Sequence, residues 1–152
     1  MDVRLVNPFI DAFTTVLPQM GFATPERAGM GVLDKNISSR GVAVLVGFTR
    51  EIRGNVVYNM DEDTAKFIAS TMMMGMPVAA FDEMAQSAIS EMSNMLTATA
   101  ATNLSALGKE VDISTPSLTV GAGASIRIST GQFLTVTMDL GGHSVEIDIA
   151  IE

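Results

Sequence analysis

Phe133-Leu134-Thr135-Val136-Thr137-Met138-Asp139-Leu140-Gly141-Gly142-His143-Ser144-Val145-Glu146-Ile147-Asp148-Ile149-Ala150-Ile151 decides the fold class. Both halves of this stretch repeat with period two. Phe133, Thr135, Thr137 and Asp139 share one side of the first half. In the second, Val145, Ile147, Ile149 and Ile151 alternate with Glu146 and Asp148. Successive side chains of a strand point to opposite faces, so this is the pattern of half-buried strands. Gly141-Gly142 accepts the positive φ that a two-residue hairpin turn needs. Antiparallel strands are therefore predicted over 133–140 and 143–151.

Working outward, 111–151 is β-rich, with shorter strands at 118–120 and 126–128. Residues 41–49 form an apolar, Val-rich run that reads as a buried strand. A turn at 50–53 joins it to a hairpin partner at 54–60. Helical recurrence appears elsewhere. Val3, Leu5, Val6, Phe9, Ile10, Phe13, Val16 and Leu17 predict one helix over 2–17, with Pro8 tolerated near its first turn and Pro18 and Gly21 ending it. Residues 22–40 read mostly as loop, with one short strand around 28–33. Asp61 is placed to cap a second helix, with Glu62 and Asp63 in the first turn where the macrodipole favours acids. That helix stops at Gly75. After Pro77 a long helix runs from an Asp82 cap to about residue 107, and Gly108 closes it. Helices come first and strands dominate late. The fold class is α+β, with long helices packed on one face of a mainly antiparallel sheet, in a single domain over 1–152.

Composition narrows the function. At 152 residues and 47% hydrophobic, the chain can bury a real core and is not disordered. It has no cysteine, which excludes disulfides and thiolate metal sites and fits a reduced, cytoplasmic setting. A net charge of −8 argues against nucleic acid and against an anionic membrane surface. Neither a signal peptide nor a span-length apolar run is evident. Met72, Met73, Met74 and Met76 cluster around Gly75. They read as core filler at a helix end, in preference to a soft metal site or a promiscuous binding surface.

Within the long helix, Ser87-Ala-Ile-Ser-Glu91-Met-Ser-Asn94 carries the chemistry. Ser87, Glu91 and Asn94 are spaced i, i+4 and i+7, which places them on one stripe. Ala85, Ala88, Ile89, Met92 and Leu96 form the opposite, core-facing set. A solvated helix surface is the plain alternative. Two features favour a partner instead. The stripe continues with the small residues Ala98 and Ala101, which leave room for an approaching surface. Asn is also a weak helix former, so a mid-helix Asn94 suggests another use for it.

The run Ser87-x3-Glu91-x2-Asn94, followed after 21 residues by Pro116, resembles the motif of the CheC/CheX/FliY family of phosphatases. The chain is similar to the CheX branch of that family in further segments. These are Met1-Asp2-Val3-Arg4-Leu5-Val6-Asn7, Ile52-Arg53-Gly54-Asn55-Val56-Val57-Tyr58, Met72-Met73-Met74-Gly75-Met76, and Leu107-Gly108-Lys109-Glu110-Val111-Asp112-Ile113-Ser114-Thr115-Pro116. The resemblance implies a phosphatase acting on the phosphoaspartate of a phosphorylated CheY-like response regulator. Glu91 would pair with the regulator's active-site lysine, and Asn94 would hold the attacking water in line with phosphorus. Ser87, Ala98 and Ala101 would serve as partner surface. No cofactor is expected in this chain, because the regulator brings its own Mg²⁺. Family members with two sites carry a second motif. Here Asp11 is followed by Thr15 and Pro18 where Glu and Asn would be needed, so one site is expected. The resemblance also implies a homodimer joined through its sheets. The rival reading is a non-catalytic regulator-binding or scaffold module of the related superfamily.

Two other constellations carry less. His143 is the single histidine and reads as a turn residue. Gly121-Ala122-Gly123-Ala124-Ser125 looks like a phosphate loop, but a strand pattern follows it rather than a helix N-terminus, so it reads as a connection.

Overall fold

A computed structural model describes residues 3–152. Met1 and Asp2, the start of the expected first helix, lie outside the described residues. Three α-helices pack on one face of a sheet: α1 (Asn7–Gln19), α2 (Glu62–Met72) and α3 (Glu83–Ala106). The strands are β1 (Glu26–Leu33), β2 (Ile37–Ser38), β3 (Val42–Arg50), β4 (Gly54–Met60), β5 (Val111–Ile113), β6 (Ser117–Val120), β7 (Ser125–Ile126), β8 (Phe133–Asp139) and β9 (Ser144–Ile151). The main sheet is antiparallel in the order β1-β8-β9-β4-β3-β5, with β6 also on β3. The α+β expectation holds.

The hairpin that decided the fold class forms as expected. Leu140 and His143 exchange backbone hydrogen bonds across Gly141 (φ +65°) and Gly142 (φ +91°). Both caps also form: the Thr64 amide donates to Asp61 Oδ1 at 2.7 Å, and the Ala85 amide to Asp82 Oδ1 at 3.0 Å. Bonds to Thr64 hold the Asp61 carboxyl below its usual range. Gly54 is required for a different reason. A Cβ there would stand 1.9 Å from the Ala150 carbonyl oxygen, where β4 and β9 approach closely.

The main core lies between helices and sheet. Phe9, Phe13 and Leu17 of α1, Ile68 of α2, and Ile89, Met92 and Leu96 of α3 meet Val44, Phe48, Tyr58, Val136 and Ile147 of the sheet. The core-facing set expected for α3 is thus confirmed, with Ala88 partly buried. One polar link joins α3 to the sheet. The Tyr58 hydroxyl is hydrogen-bonded to Thr97 Oγ1 at 2.9 Å, wholly inside the core. Burial pushes the phenol's pKa upward, so it stays neutral.

Several expectations need correction. The first helix begins at Asn7, after a short 3-10 turn at Val3–Leu5. Pro8 sits in its first turn, where the missing N–H costs nothing. Strand β1 is longer than expected and runs along the sheet edge with most residues exposed, so no burial alternation marked it. The methionines around Gly75 divide. Met72 and Met73 pack against the core, but Met74 is 99% and Met76 60% exposed. Backbone turning at Met74 (φ +59°) and Gly75 (φ +86°) carries that pair away from the core.

The far face of the sheet is the largest surprise. The short β2–β7 pair lies over it, enclosing Ile37, Ala43, Val57, Ile126, Phe133 and Ala150. Asn59 pins this layer, accepting from the Arg40 amide at 2.9 Å and donating to the Ser38 carbonyl at 2.8 Å. Asp148, on the polar phase of β9, is consequently buried between Val57 and Thr135. Its two carboxyl oxygens and Thr135 Oγ1 lack hydrogen-bond partners. Burial, reinforced by the neighbouring Glu146 carboxylate, raises the Asp148 pKa to about 8.

Candidate active site

An open groove of about 640 Å³ lies between α3 and the start of β6. Its lining brings together Ser87, Glu91 and Asn94 from the helix and Thr115, Pro116 and Leu118 from the sheet side. The helix contributes Glu83, Gln86 and Ser90 as well. Thus the residues of the spaced motif, 22 positions apart at their widest gap (116 minus 94), meet at one place.

Each wall has a physical cause. On the helix side, the apolar face of α3 is fixed by core packing, so its opposite face is held outward. Ser93 and Thr97 are buried beneath it, and their hydroxyls return to the Ile89 and Ser93 carbonyls at 2.9 and 2.8 Å. On the sheet side, β5 and β6 follow one another along the same edge of β3. The chain between them cannot continue the ladder and loops outward at 114–116. Gly47 pins that loop reciprocally: the Ser114 amide donates to the Gly47 carbonyl at 2.8 Å, and the Gly47 amide donates to Ser114 Oγ at 2.8 Å. Pro116 therefore stands at a fixed break in a sheet edge, where a residue without an N–H is tolerated.

Glu91 and Asn94 do not stand alike. Glu91 is exposed on the ridge, whereas Asn94 is half-buried and turned toward the groove. At about 100° per residue, three positions separate them by about 60° around the helix. This gives a carboxylate at the lip and an amide inside. An amide offers both donor and acceptor and adds no charge, which suits the positioning of water beside an anion. Ala98 is exposed and Ala101 half-buried, but neither lines the groove. Gln86, Ser90 and Thr115 were missed. The helical pair was legible, since 83, 86, 87, 90, 91 and 94 follow one helical stripe.

The rival constellations stay quiet. His143 is stacked on Phe67 with ring centroids 4.2 Å apart, as a packed turn residue. Gly121 to Ser125 leads into β7, so no helix N-terminus faces it. Asp11 and Thr15 are exposed on α1 without an acid–amide pair. Among the described residues, no group of three His, Cys, Asp or Glu side chains comes together as a metal set. Among them also, no helix is long and apolar enough to cross a membrane.

Known proteins resemble this arrangement. The family described as "Chemotaxis phosphatase CheX" matches residues 42–139. The CheY-P phosphatase CheX of Thermotoga maritima is 32% identical over 128 residues, covering 84% of this chain and 82% of that protein. The crystal structure of a chemotaxis protein CheX from Desulfovibrio desulfuricans superposes with a TM-score of 0.88 at 22% identity, over 98% of this chain and 99% of that one. A CheX–CheY–BeF3–Mg²⁺ complex from Borrelia burgdorferi contains a chain similar at 29% identity and TM-score 0.73, with 97% of each chain covered.

Proposed function

The chain belongs to the CheX family of chemotaxis phosphatases, and from that premise we propose that the α3 groove is where it acts. It is a phosphatase of a CheY-type response regulator, a hydrolase that removes the regulator's phosphoryl group. The observation that carries the site assignment is the meeting of Glu91 and Asn94 with Thr115 and Pro116 in one groove.

The chemistry follows from what each group can do. Hydrolysis of an acyl phosphate needs a water in line with the departing carboxylate and little covalent help. Asn94 accepts a hydrogen bond from that water and directs its lone pair at phosphorus. Glu91, at the lip, pairs with the regulator's lysine and sets the register of docking. Mg²⁺ comes with the regulator, so this chain supplies position rather than a metal. Ser87 supports the helix surface beside the pair. The site of action is then the cytoplasm, where the regulator resides. The test is phosphate release from a phosphorylated receiver domain, with and without this protein. A non-catalytic binding module would bind the regulator and leave its phosphate lifetime unchanged.

Glu91→Ala should weaken docking as well as turnover. A lysine desolvated on docking and then left unpaired costs about 2–5 kcal/mol. Titration against a beryllofluoride-loaded receiver reads this directly, and unchanged affinity would remove Glu91 from the role.

The family's homodimer is proposed here through β1. The β5/β6 edge of the sheet frames the groove, so the open edge left for a second copy is β1. That strand exposes Met30 at 42% and Val32 at 59%. Sedimentation should give twice the 16.0 kDa chain mass. Lysine at both positions should loosen the dimer by about tenfold or more, through like charges meeting across the edge. A wild-type chain that sediments only as a monomer at micromolar concentration would exclude the dimer.

A further inference from the structure

The outward ridge of α3 is not built like a solvated helix surface. Over 24 residues the helix carries no Lys or Arg, and its only charges are Glu83 and Glu91. A helix face meant for water normally carries charges of both signs. Here the crest presents Met84, Ser87, Glu91, Met95 and Ala98, spaced at helical intervals. Met84 is 64% and Met95 37% exposed. Met84 precedes Glu91 by seven residues and Met95 follows it by four. At 1.5 Å per residue they stand about 10 Å and about 6 Å from it along the axis.

Beyond Met84 lies a mostly apolar hollow of about 370 Å³ lined by Met73, Met76 and residues 77–80 with Met84 itself, and by the capping Asp82. That hollow is separate from the groove, but both reach the first turn of α3, where Met84 of the hollow is the chain neighbour of Glu83 of the groove. No membrane-type basic residues accompany it, and the chain's net charge is −8. With no cation on α3 to steer a partner, the grip is taken to come from short-range contact.

We propose that Met84 and Met95, with Met76 extending the Met84 end, form the apolar clamp that seats the receiver domain on α3. The inference rests on the reading of the groove as the site of action, because the clamp brackets that site. Methionine suits this role. It is unbranched and polarisable, so it packs against a protein surface without demanding one shape. Glu91 then supplies register and Asn94 chemistry, while the methionines supply residence time.

The test uses the whole chain and the source organism's CheY-type receiver domains, each loaded with beryllofluoride and Mg²⁺. The variants are M84S/M95S and M84L/M95L, with circular dichroism to establish that both fold. The serine pair should weaken receiver binding by about tenfold or more, and the leucine pair should restore most of it. In turnover assays the loss should appear in the half-saturating concentration, in contrast to Asn94→Ala, which should lower the maximal rate. Unchanged affinity in M84S/M95S overturns the clamp and leaves the groove assignment standing. Serine variants that lose affinity while wild-type chain leaves the phosphate lifetime untouched support the clamp and overturn the catalytic reading. A wild-type chain that binds none of the receivers overturns both.

Discussion

Asn94→Ala should reduce stimulated dephosphorylation by about 10²-fold or more, roughly 2.7 kcal/mol of transition-state stabilisation. The reasoning is geometric. Asn94 is the one uncharged donor–acceptor side chain of the motif that leans into the groove rather than standing on the crest. On the proposed assignment a water there would be positioned before reaction, and alanine would leave it unoriented. Alanine is also the better helix former, and a groove-lining side chain leaves no sealed cavity when truncated. Thermal stability should therefore hold or rise slightly. Single-turnover phosphate loss at saturating protein is the measurement. The fall should lie in the rate constant, with affinity for the beryllofluoride-loaded receiver little changed. Near-wild-type stimulation by Asn94→Ala would end the catalytic assignment and leave a regulator-binding module.

Asp148→Asn should make the protein more stable at pH 8, by about 2–5 kcal/mol, and flatten its stability against pH. The upper figure is the whole shift from 3.8 to about 8, and the lower allows for the buried amide's own desolvation. The carboxyl lies under the β2–β7 layer with no hydrogen-bond partner, and burial raises its pKa to about 8. In the unfolded chain it titrates near 3.8. Between those values the folded protein holds a proton that the unfolded chain has released. Stability from the neutral form is complete below about pH 4 and drains away as pH rises toward 8, by up to about 1.4 kcal/mol per pH unit. The amide has no charge to bury. Melting curves at pH 5 and pH 8 should show wild type losing stability over this interval while the variant holds its own. The gap at pH 8 should be about 5 °C or more. Parallel pH dependence in the two proteins would show that the carboxyl is not held neutral by the fold.

Asp148 also marks where sequence reading ran out. Its alternation with Ile147 and Ile149 placed it correctly on the second face of β9. Whether that face met water depended on a two-residue strand pairing, Ile37–Ser38 with Ser125–Ile126, too short to leave a periodic signal. Likewise β1 was under-read because an edge strand exposed on both faces shows no alternation. The caps at Asp61 and Asp82, the Gly141-Gly142 turn and the buried stripe of α3 were legible because each rests on chemistry within a few residues of itself. The groove was legible in half. Helical spacing put Ser87, Glu91 and Asn94 together, but nothing local says that Thr115 and Pro116 face them. That depends on β5 and β6 sharing one edge of β3, with Gly47 holding the gap.

The Tyr58–Thr97 contact gives the molecule a built-in optical reporter. The chain has one tyrosine and no tryptophan, so when it is excited at wavelengths too long for its seven phenylalanines to absorb, its intrinsic emission arises from a single ring. That ring is sealed from solvent quenchers, and its hydroxyl touches α3 three residues beyond Asn94. Any displacement of the helix must stretch or break this hydrogen bond, and the emission of a phenol depends on what its hydroxyl touches. An observer watching one fluorophore would thus see whether the helix shifts or stays rigid as a partner without overlapping emission arrives, with no label attached and no residue changed.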